Sequence, residues 1–325
     1  MDGFLNVNKP SGWTSHDVVA HLRSVLKIRK IGHTGTLDPA ATGVLPICVG
    51  KATKLSHLLI GTDKRYRAVM RLGETTDTQD AEGKILVRRH AGSVTEEQVR
   101  EALVYFTGPI SQIPPMYSAV KVGGQPLYKA ARDGREVSRS PRTVTLHRIE
   151  LLGIEGADIS LEVDCSKGTY IRTLCADIGE RLGVGAHLLR LERTRSGPFR
   201  IEMAASLPEL ESAAREGRIP EYLSAPGAVL GDFPSLTVTE EGERPVLHGA
   251  ALRRRDIRTF PKECKTGGPV LVYNGAGQLI ALAVALAGRS ELDESDQADS
   301  RRLFRVDRLL VDVEEERRTL GFRRG

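Results

Sequence analysis

Residues 32–46 read GHTGTLDPAATGVLP, and no single helix or strand can run through the whole of that stretch. Glycines at 32, 35 and 43 let the backbone turn sharply or pass close to a neighbour. Asp38 is followed by proline, and an Asp-Pro pair commonly initiates a turn in which the carboxylate bonds its own backbone. The chain must break here and carry a carboxylate on an open loop. Taken alone, Asp38 reads first as a turn residue and only second as a reactive group.

Regular elements are legible on both sides. Gly3 to Val7 predicts a short strand. A helix follows, capped by Thr14 or Ser15, with Asp17 in its first turn and Val18, Val19, Leu22, Val25 and Leu26 at helical spacing. VLPICVG, after the loop, predicts a buried strand, and Arg65 to Leu72 alternates as a strand does. Thr76 to Gly83 is a polar turn. Thr95 to Phe106 predicts a helix with Thr95 and Gln98 in capping-box spacing. Residues 111–141 hold Pro, Gly and basic residues with only a short helical piece near Leu127 to Arg132, and a loop that long inside a domain is usually functional or disordered. Thr143 to Ile154 and Asp158 to Cys165 predict neighbouring strands. Tyr170 leads into a helix with Leu174, Ile178 and Leu182 on one face and Gly183 at its end. Further strands are expected at Leu188 to Thr194 and Gly197 to Ile201, then helix at Leu207 to Arg218.

Pro226 to Leu236 reads as a linker, so a first domain is expected over 1–228 and a smaller one over 233–312. The smaller unit shows short strands at Pro269 to Tyr273, Gln278 to Leu286 and Leu303 to Val306, with the turn NGAG between the first two. A charged tail, 313–325, closes the chain.

Two domains also suit the length of 325 residues. Lys and Arg number 47 against 42 Asp and Glu, a net charge of +5. The excess is local: residues 1–60 and 121–150 each carry seven basic residues against three acidic ones, while 291–300 is acidic. A polyanion would meet the front half of the chain. The four cysteines form no C-x-x-C pair, which argues against zinc and suits a reducing, cytoplasmic setting. The N-terminus has no apolar signal segment. The longest apolar run, Leu279 to Ala287, is too short to cross a bilayer as a helix.

Five blocks, in order, carry a resemblance. They are KPSGWTS (Lys9 to Ser15), GHTGTLDPAATGVLP, DKRYRAVMRLGETTDTQDAEG (Asp63 to Gly83), IPPMYSAVKVGGQPLYKAARDGREVSR (Ile113 to Arg139) and CSKGTYIRTLCADIG (Cys165 to Gly179). Together they resemble the TruB family of pseudouridine synthases, which modify position 55 of transfer RNA. Small departures, Val120 for Leu and Ala130 for an aromatic, fall away from the chemistry.

The resemblance implies an α+β fold: a mixed, mainly antiparallel sheet flanked by helices, with 111–141 as an RNA-gripping insertion. It also implies a small β-rich, PUA-like barrel at the C-terminus, on VLHGAAL (Val246 to Leu252), the 269–285 pattern and position in the chain. The implied reaction breaks the bond from uridine C1′ to N1, turns the base, and rejoins it through C5. This is an isomerisation, so no cofactor or metal is expected. The implied catalytic residues are Asp38, Tyr66 and Arg172. Asp38 would serve as nucleophile or base, and Arg172 would keep it ionised. Tyr66 would stack on the uracil. His33 would brace the RNA loop vacated by a flipped base, and Tyr170 and Leu191 would line the uracil pocket. Lys9, Lys121, Arg132 and Arg142 complete the implied substrate-binding set, with Lys and Arg on phosphates and Tyr117 and Tyr128 available for stacking. The partner implied is the T-arm of transfer RNA, with the PUA-like unit and Arg253 to Arg255 on the acceptor end. No obligate protein partner is implied, and a monomer is expected.

Two alternatives stay open. One is an RNA-binding or RNA-folding module without catalysis, against which the intact Asp38, Tyr66 and Arg172 set argues. The other is the related enzyme of a guide-RNA particle, against which the 111–141 insertion argues.

Overall fold

The computed structural model describes residues 1–118, 120–135, 137–293 and 301–311. The acidic stretch beyond 293 and the charged tail lie outside the described residues.

Ten strands form the larger sheet. Its main path runs Leu223–Ser224, Gly3–Lys9, Thr42–Val49, Ala186–Ser196, Lys64–Leu72, Asp158–Cys165, Arg142–Glu155, Gly108–Gln112. Ile31–His33 pairs with Thr42–Val49, and Phe199–Arg200 pairs with Ala186–Ser196. Every pairing is antiparallel except Thr42–Val49 with Ala186–Ser196, a parallel contact at Glu192↔Thr42 and Arg193↔Gly43. The expected mainly antiparallel α+β architecture is present, and that parallel contact is a seam between two antiparallel halves.

Each half has its own core. Under one half, the helices Glu96–Phe106 and Ile171–Arg181 bury Val99, Leu103, Leu174 and Ile178 against Met70, Leu161 and Val163. Under the other, Ser15–Leu26 and Leu207–Arg215 bury Val18, Leu22 and Leu210 against Leu5, Leu45 and Ile47. Of the two cap candidates for the first helix, Thr14 is the one used. Its side chain accepts from the Asp17 amide, and Asp17 returns the bond. Thr95 with Gln98 and Ser206 with Glu209 form the same reciprocal cap.

Strand alternation fixes which side chains face the helices. On Lys64–Leu72, residues Ala68, Met70 and Leu72 are buried. Arg65, Arg67 and Arg71 take the other face, directly across from Asp164, Glu162 and Asp158. Arg65 and Arg71 each make two-pronged contacts there, at 2.7–2.8 Å.

The second unit is a six-stranded sheet in the order Ala251–Arg253, Arg302–Leu309, Leu279–Ala285, Pro269–Tyr273, Ser235–Val238, Ile257–Thr259. Its two edge strands are joined by only Arg254–Asp256. A turn that short cannot cross a flat six-stranded sheet roughly 24 Å wide, so the sheet curls on itself. The helix Glu240–Leu247, capped by Thr239, was not among the elements expected in this unit. The expected linker is structured: Pro226–Val229 is a helical turn and Leu230 is fully buried. Leu271, Leu282 and Leu310 pack with Phe4, Val44 and Leu55 of the first unit, and Lys54 Nζ donates to the Leu309 carbonyl at 2.6 Å. The two units share a core.

Gly43 sits on the seam at φ +98°, and a Cβ there would lie 2.3 Å from the Arg193 carbonyl oxygen. Gly43→Ala is therefore expected to cost at least about 2 kcal/mol, from a strained backbone and a forced shift of Arg193. Urea denaturation would show it as a lower midpoint at unchanged slope.

Candidate active site

The seam positions the reactive loop. Residues 34–41 leave Ile31–His33 at one end and enter Thr42–Val49 at the other, beside Arg193. Arg193 is 1% exposed and binds loop carbonyls: Nε donates to Val44 at 2.7 Å, Nη2 to Gly35 at 3.1 Å and Nη1 to Thr36 at 3.4 Å. Lys9 holds the other flank. Its ammonium donates to the carbonyls of Trp13, Pro10 and Pro39 at 2.6, 2.9 and 3.0 Å. That uses all three ammonium hydrogens. Lys9 was expected among the substrate-binding residues; it is fully buried, stands outside the cleft lining and has its three donors spent on backbone, so its work is to hold the Asp-Pro turn. Burial pushes its pKa down to about 8, still above neutral pH, so the ammonium keeps its charge.

Asp38 sits at the end of this braced loop. Its side chain is 43% exposed and faces a cleft of about 490 Å³. Arg172, from the first turn of Ile171–Arg181, reaches it with Nε 3.1 Å from Asp38 Oδ2. The Arg172 side chain is only 6% exposed. Its other donors go to Asp80 Oδ2 at 3.2 Å, the Thr78 carbonyl at 3.4 Å and the Tyr117 carbonyl at 2.7 Å. One buried guanidinium thus ties together the Asp38 loop, the 77–84 turn and the start of the 111–141 insertion. An arginine in the first turn of a helix is poorly placed for the helix dipole unless anions compensate, and here two carboxylates do.

Burial raises the Asp38 pKa; Arg172 opposes that rise, Asp80 adds to it, and Lys9 opposes it. The net direction is upward. Tyr66, on the core-facing side of Lys64–Leu72, has its phenol pKa raised by burial, with Arg193 opposing, and stays neutral. Tyr66 and Leu191 each pack against both cores, so they stand over the seam.

Asp38, Tyr66, Tyr170, Arg172, Leu191 and Arg142 all line the cleft. Tyr170 is fixed by Gln112, whose Oε1 accepts from the Tyr170 amide at 3.0 Å and whose Nε2 donates to its carbonyl at 3.2 Å. His33 lies beside the cleft rather than in its lining. Its ring meets His16 edge-on at 5.9 Å, and burial, His16 and Arg193 lower its pKa. Lys121 ends up on a two-stranded ribbon and Arg132 at the end of the helix Leu127–Arg132, but their side chains, like that of Tyr128, lie outside the described residues.

Three contributors had not been singled out from the sequence. Asp80 lies in a polar turn, where a carboxylate is unremarkable. Arg193 lies on a strand whose register shifts at Leu188/Arg190 and Arg193/Arg195, which hides its inward side. Lys64 did leave a signal: it shares the period-two face of Tyr66, Ala68, Met70 and Leu72, where a lysine is out of place. It is 7% exposed, donates to the carbonyls of Ile60 and Thr62, and has its pKa pushed down to about 8 by burial. Among the described residues no group of three or more His, Cys, Asp or Glu could hold a metal ion, and no helix is long and apolar enough to cross a membrane.

A mainly antiparallel sheet with an arginine-paired aspartate on a loop at its central seam defines the class of fold and site. Residues 23–171 match the TruB family pseudouridylate synthase N-terminal domain, and residues 172–225 match the tRNA pseudouridylate synthase B C-terminal domain. The tRNA pseudouridine synthase B of Symbiobacterium thermophilum is 52% identical over 254 residues, 77% of this chain and 83% of that one. That of Pseudomonas syringae pv. syringae is 44% identical over 308 residues, 94% of this chain and 96% of that one. Among solved structures, the Cbf5-Nop10-Gar1 complex contains a chain that superposes at a TM-score of 0.77 and 32% identity, covering 96% of this chain and 86% of its own. An H/ACA RNP bound to a substrate RNA containing 2′-deoxyuridine gives 0.76 and 30%, with the same coverage. The chain belongs to the TruB family of pseudouridine synthases, and it is an isomerase.

Lys9→Met is expected to leave three partly buried carbonyls without their donor. Each uncompensated polar group costs about 1–3 kcal/mol, so a clear fall in Tm is expected, with loss of turnover because the Asp38 loop loses a brace. Calorimetry and a single-turnover assay would read both; an unchanged Tm would remove the bracing role.

Proposed function

We propose that this enzyme converts uridine to pseudouridine at position 55, in the T-loop of transfer RNA, acting alone and without a cofactor. The observation that carries this reading is the Asp38–Arg172 contact at 3.1 Å, with the guanidinium buried and the carboxylate open to the cleft. It keeps an anion ready where a base can reach it. In a folded RNA loop the target bond is out of reach, so the nucleotide is flipped into the cleft. Tyr66 offers a flat face to the uracil, and Leu191 and Tyr170 offer walls. Asp38 attacks or deprotonates the nucleotide and manages the detached base. Substrate and product have the same atoms, so no electron carrier is called for.

The curated relatives' names support transfer RNA as the substrate class. The 111–141 insertion, joined to the site through the Tyr117 carbonyl, supports a stand-alone enzyme that grips the T-arm itself. In the second unit, which we read as PUA-like, Arg253, Arg255, Arg302 and Arg305 line a second cleft of about 540 Å³. We assign it to the acceptor end of the same RNA.

Asp38→Asn is expected to abolish turnover while affinity for RNA stays within about tenfold, roughly 1.4 kcal/mol. Mapping pseudouridine after incubation with unmodified transfer RNA tests enzyme and position together: product outside the T-loop would sink the substrate assignment, and retained turnover in the variant would sink Asp38.

The pH dependence follows from the raised Asp38 pKa. The ionised form is the active one, so activity falls as pH drops through a value above that of an ordinary carboxylate, about 3.9. Removing the Arg172 charge lifts that value further, so the residual activity of Arg172→Met should lose its acid limb at higher pH than the wild type.

Because the two units share a core, the acceptor-end assignment is tested by charge removal rather than truncation. Arg302→Ala with Arg305→Ala should weaken binding of whole transfer RNA and lower its salt slope by about 2, while sparing an isolated T-arm hairpin.

A further inference from the structure

Among the described residues, two hydroxyls in the cleft have nothing to bond. Ser118 is 6% exposed and Thr34 is fully buried, and both contribute to the lining. Among the described residues, neither Ser118 Oγ nor Thr34 Oγ1 has a hydrogen-bond partner. The backbones around them are tied down. The Thr34 amide donates to the Pro46 carbonyl and the Ser118 amide to the Met116 carbonyl, while the carbonyl of Tyr117, next to Ser118, accepts from Arg172. The hydroxyls are thus held in place and left unsatisfied, two of five such buried side-chain atoms among the described residues. Leaving a buried hydroxyl unpaired costs about 1–3 kcal/mol. Such a cost is tolerated where a ligand supplies the partner.

We propose that Ser118 and Thr34 are substrate-binding residues that hydrogen-bond the polar edge of the flipped base. This rests on the reading above that a uridine enters this cleft. Uracil offers two carbonyl acceptors and one N–H donor. When the base is detached and turned, those groups change places relative to the protein. A hydroxyl rotates freely and both donates and accepts, so it can follow the base from one orientation to the other. Neither an ammonium nor an ionised carboxylate can do both. The two hydroxyls also come from different parts of the chain, Thr34 from the Asp38 loop and Ser118 from the insertion. Base entry therefore bonds the insertion to the catalytic loop, beside the contact that Arg172 already makes.

The test is a thermodynamic cycle between each hydroxyl and the base. The full-length Asp38→Asn enzyme, with and without Ser118→Ala or Thr34→Val, is titrated with a T-arm hairpin carrying either uridine or an abasic site at the target. Each hydroxyl deletion should weaken binding of the uridine hairpin about tenfold, the worth of one hydrogen bond near 1.4 kcal/mol, and leave the abasic hairpin unchanged. Tm in the free enzyme should hold or rise, because an unpaired hydroxyl has been removed. Equal loss on both hairpins, or loss on neither, overturns the assignment for that residue. Wild-type enzyme on the uridine hairpin is the control for the underlying reading. If it forms no pseudouridine there, the substrate assignment fails, and that failure is distinct from absence of coupling in a hairpin that is turned over.

Discussion

The structure depends on one buried cation. Arg172 is almost fully withdrawn from water, and an unpaired charge in that position would cost many kcal/mol. Its donors therefore have to be met. Asp38 and Asp80 meet two of them, and the carbonyls of Thr78 and Tyr117 meet others. Those partners belong to three loops with no regular structure in common. The need to satisfy a single guanidinium draws them together, beside the cleft that Asp38, Tyr117 and Arg172 help to line.

Asymmetry in that contact gives it chemical use. The guanidinium is buried, so its position is fixed by packing and by its carbonyl partners. The carboxylate of Asp38 is open on one side, so it keeps access to a substrate. Had both partners been buried, the pair would be inert. Had both been exposed, water would screen the attraction and the side chains would wander. Asp80 takes the enclosed side of the same cation, at 17% side-chain exposure against 43% for Asp38. That division separates a carboxylate that positions the arginine from one that stays open to the cleft. Asp80 also raises the Asp38 pKa, so the arrangement trades some ionisation for geometry.

Much of the fold was legible in the sequence because it rests on local rules. The periods of two and 3.6, the Thr95–Gln98 cap and the NGAG turn appear within about three residues of where they were expected, the largest offsets being a helix that ends at Arg215 and a strand that runs on to Leu309. The Glu240–Leu247 helix was not legible: it is eight residues long, contains Pro245, and is held by packing against the second unit's core. The candidate site was legible only in part, and through resemblance more than through physics. Asp38 looked like a turn residue because it is one: its carbonyl accepts from the Ala41 amide. Lys9 was assigned to RNA through the resemblance, and only the three carbonyls around its ammonium show otherwise. Arg193 and Asp80 act through tertiary contacts across more than 90 residues, and no local pattern encodes such contacts.

The seam explains why the loop can be held at all. Ordering a loop costs conformational entropy, and regular strand pairing does not reach residues 34–41. The parallel contact of Thr42–Val49 with Ala186–Ser196 is only two residue pairs long, too short to stabilise much by itself. What it does is bring Arg193 against Gly43 closely enough that the Arg193 side chain can reach back to the carbonyls of Gly35, Thr36 and Val44. Glycine is required at 43 for that approach, and a long forked side chain is required at 193 for that reach. Lys9 then fixes the Pro39 carbonyl from the opposite flank. Asp38 is thereby braced on both sides by buried cations whose hydrogen bonds go to backbone rather than to its carboxylate, which leaves the carboxylate to Arg172 and the open cleft.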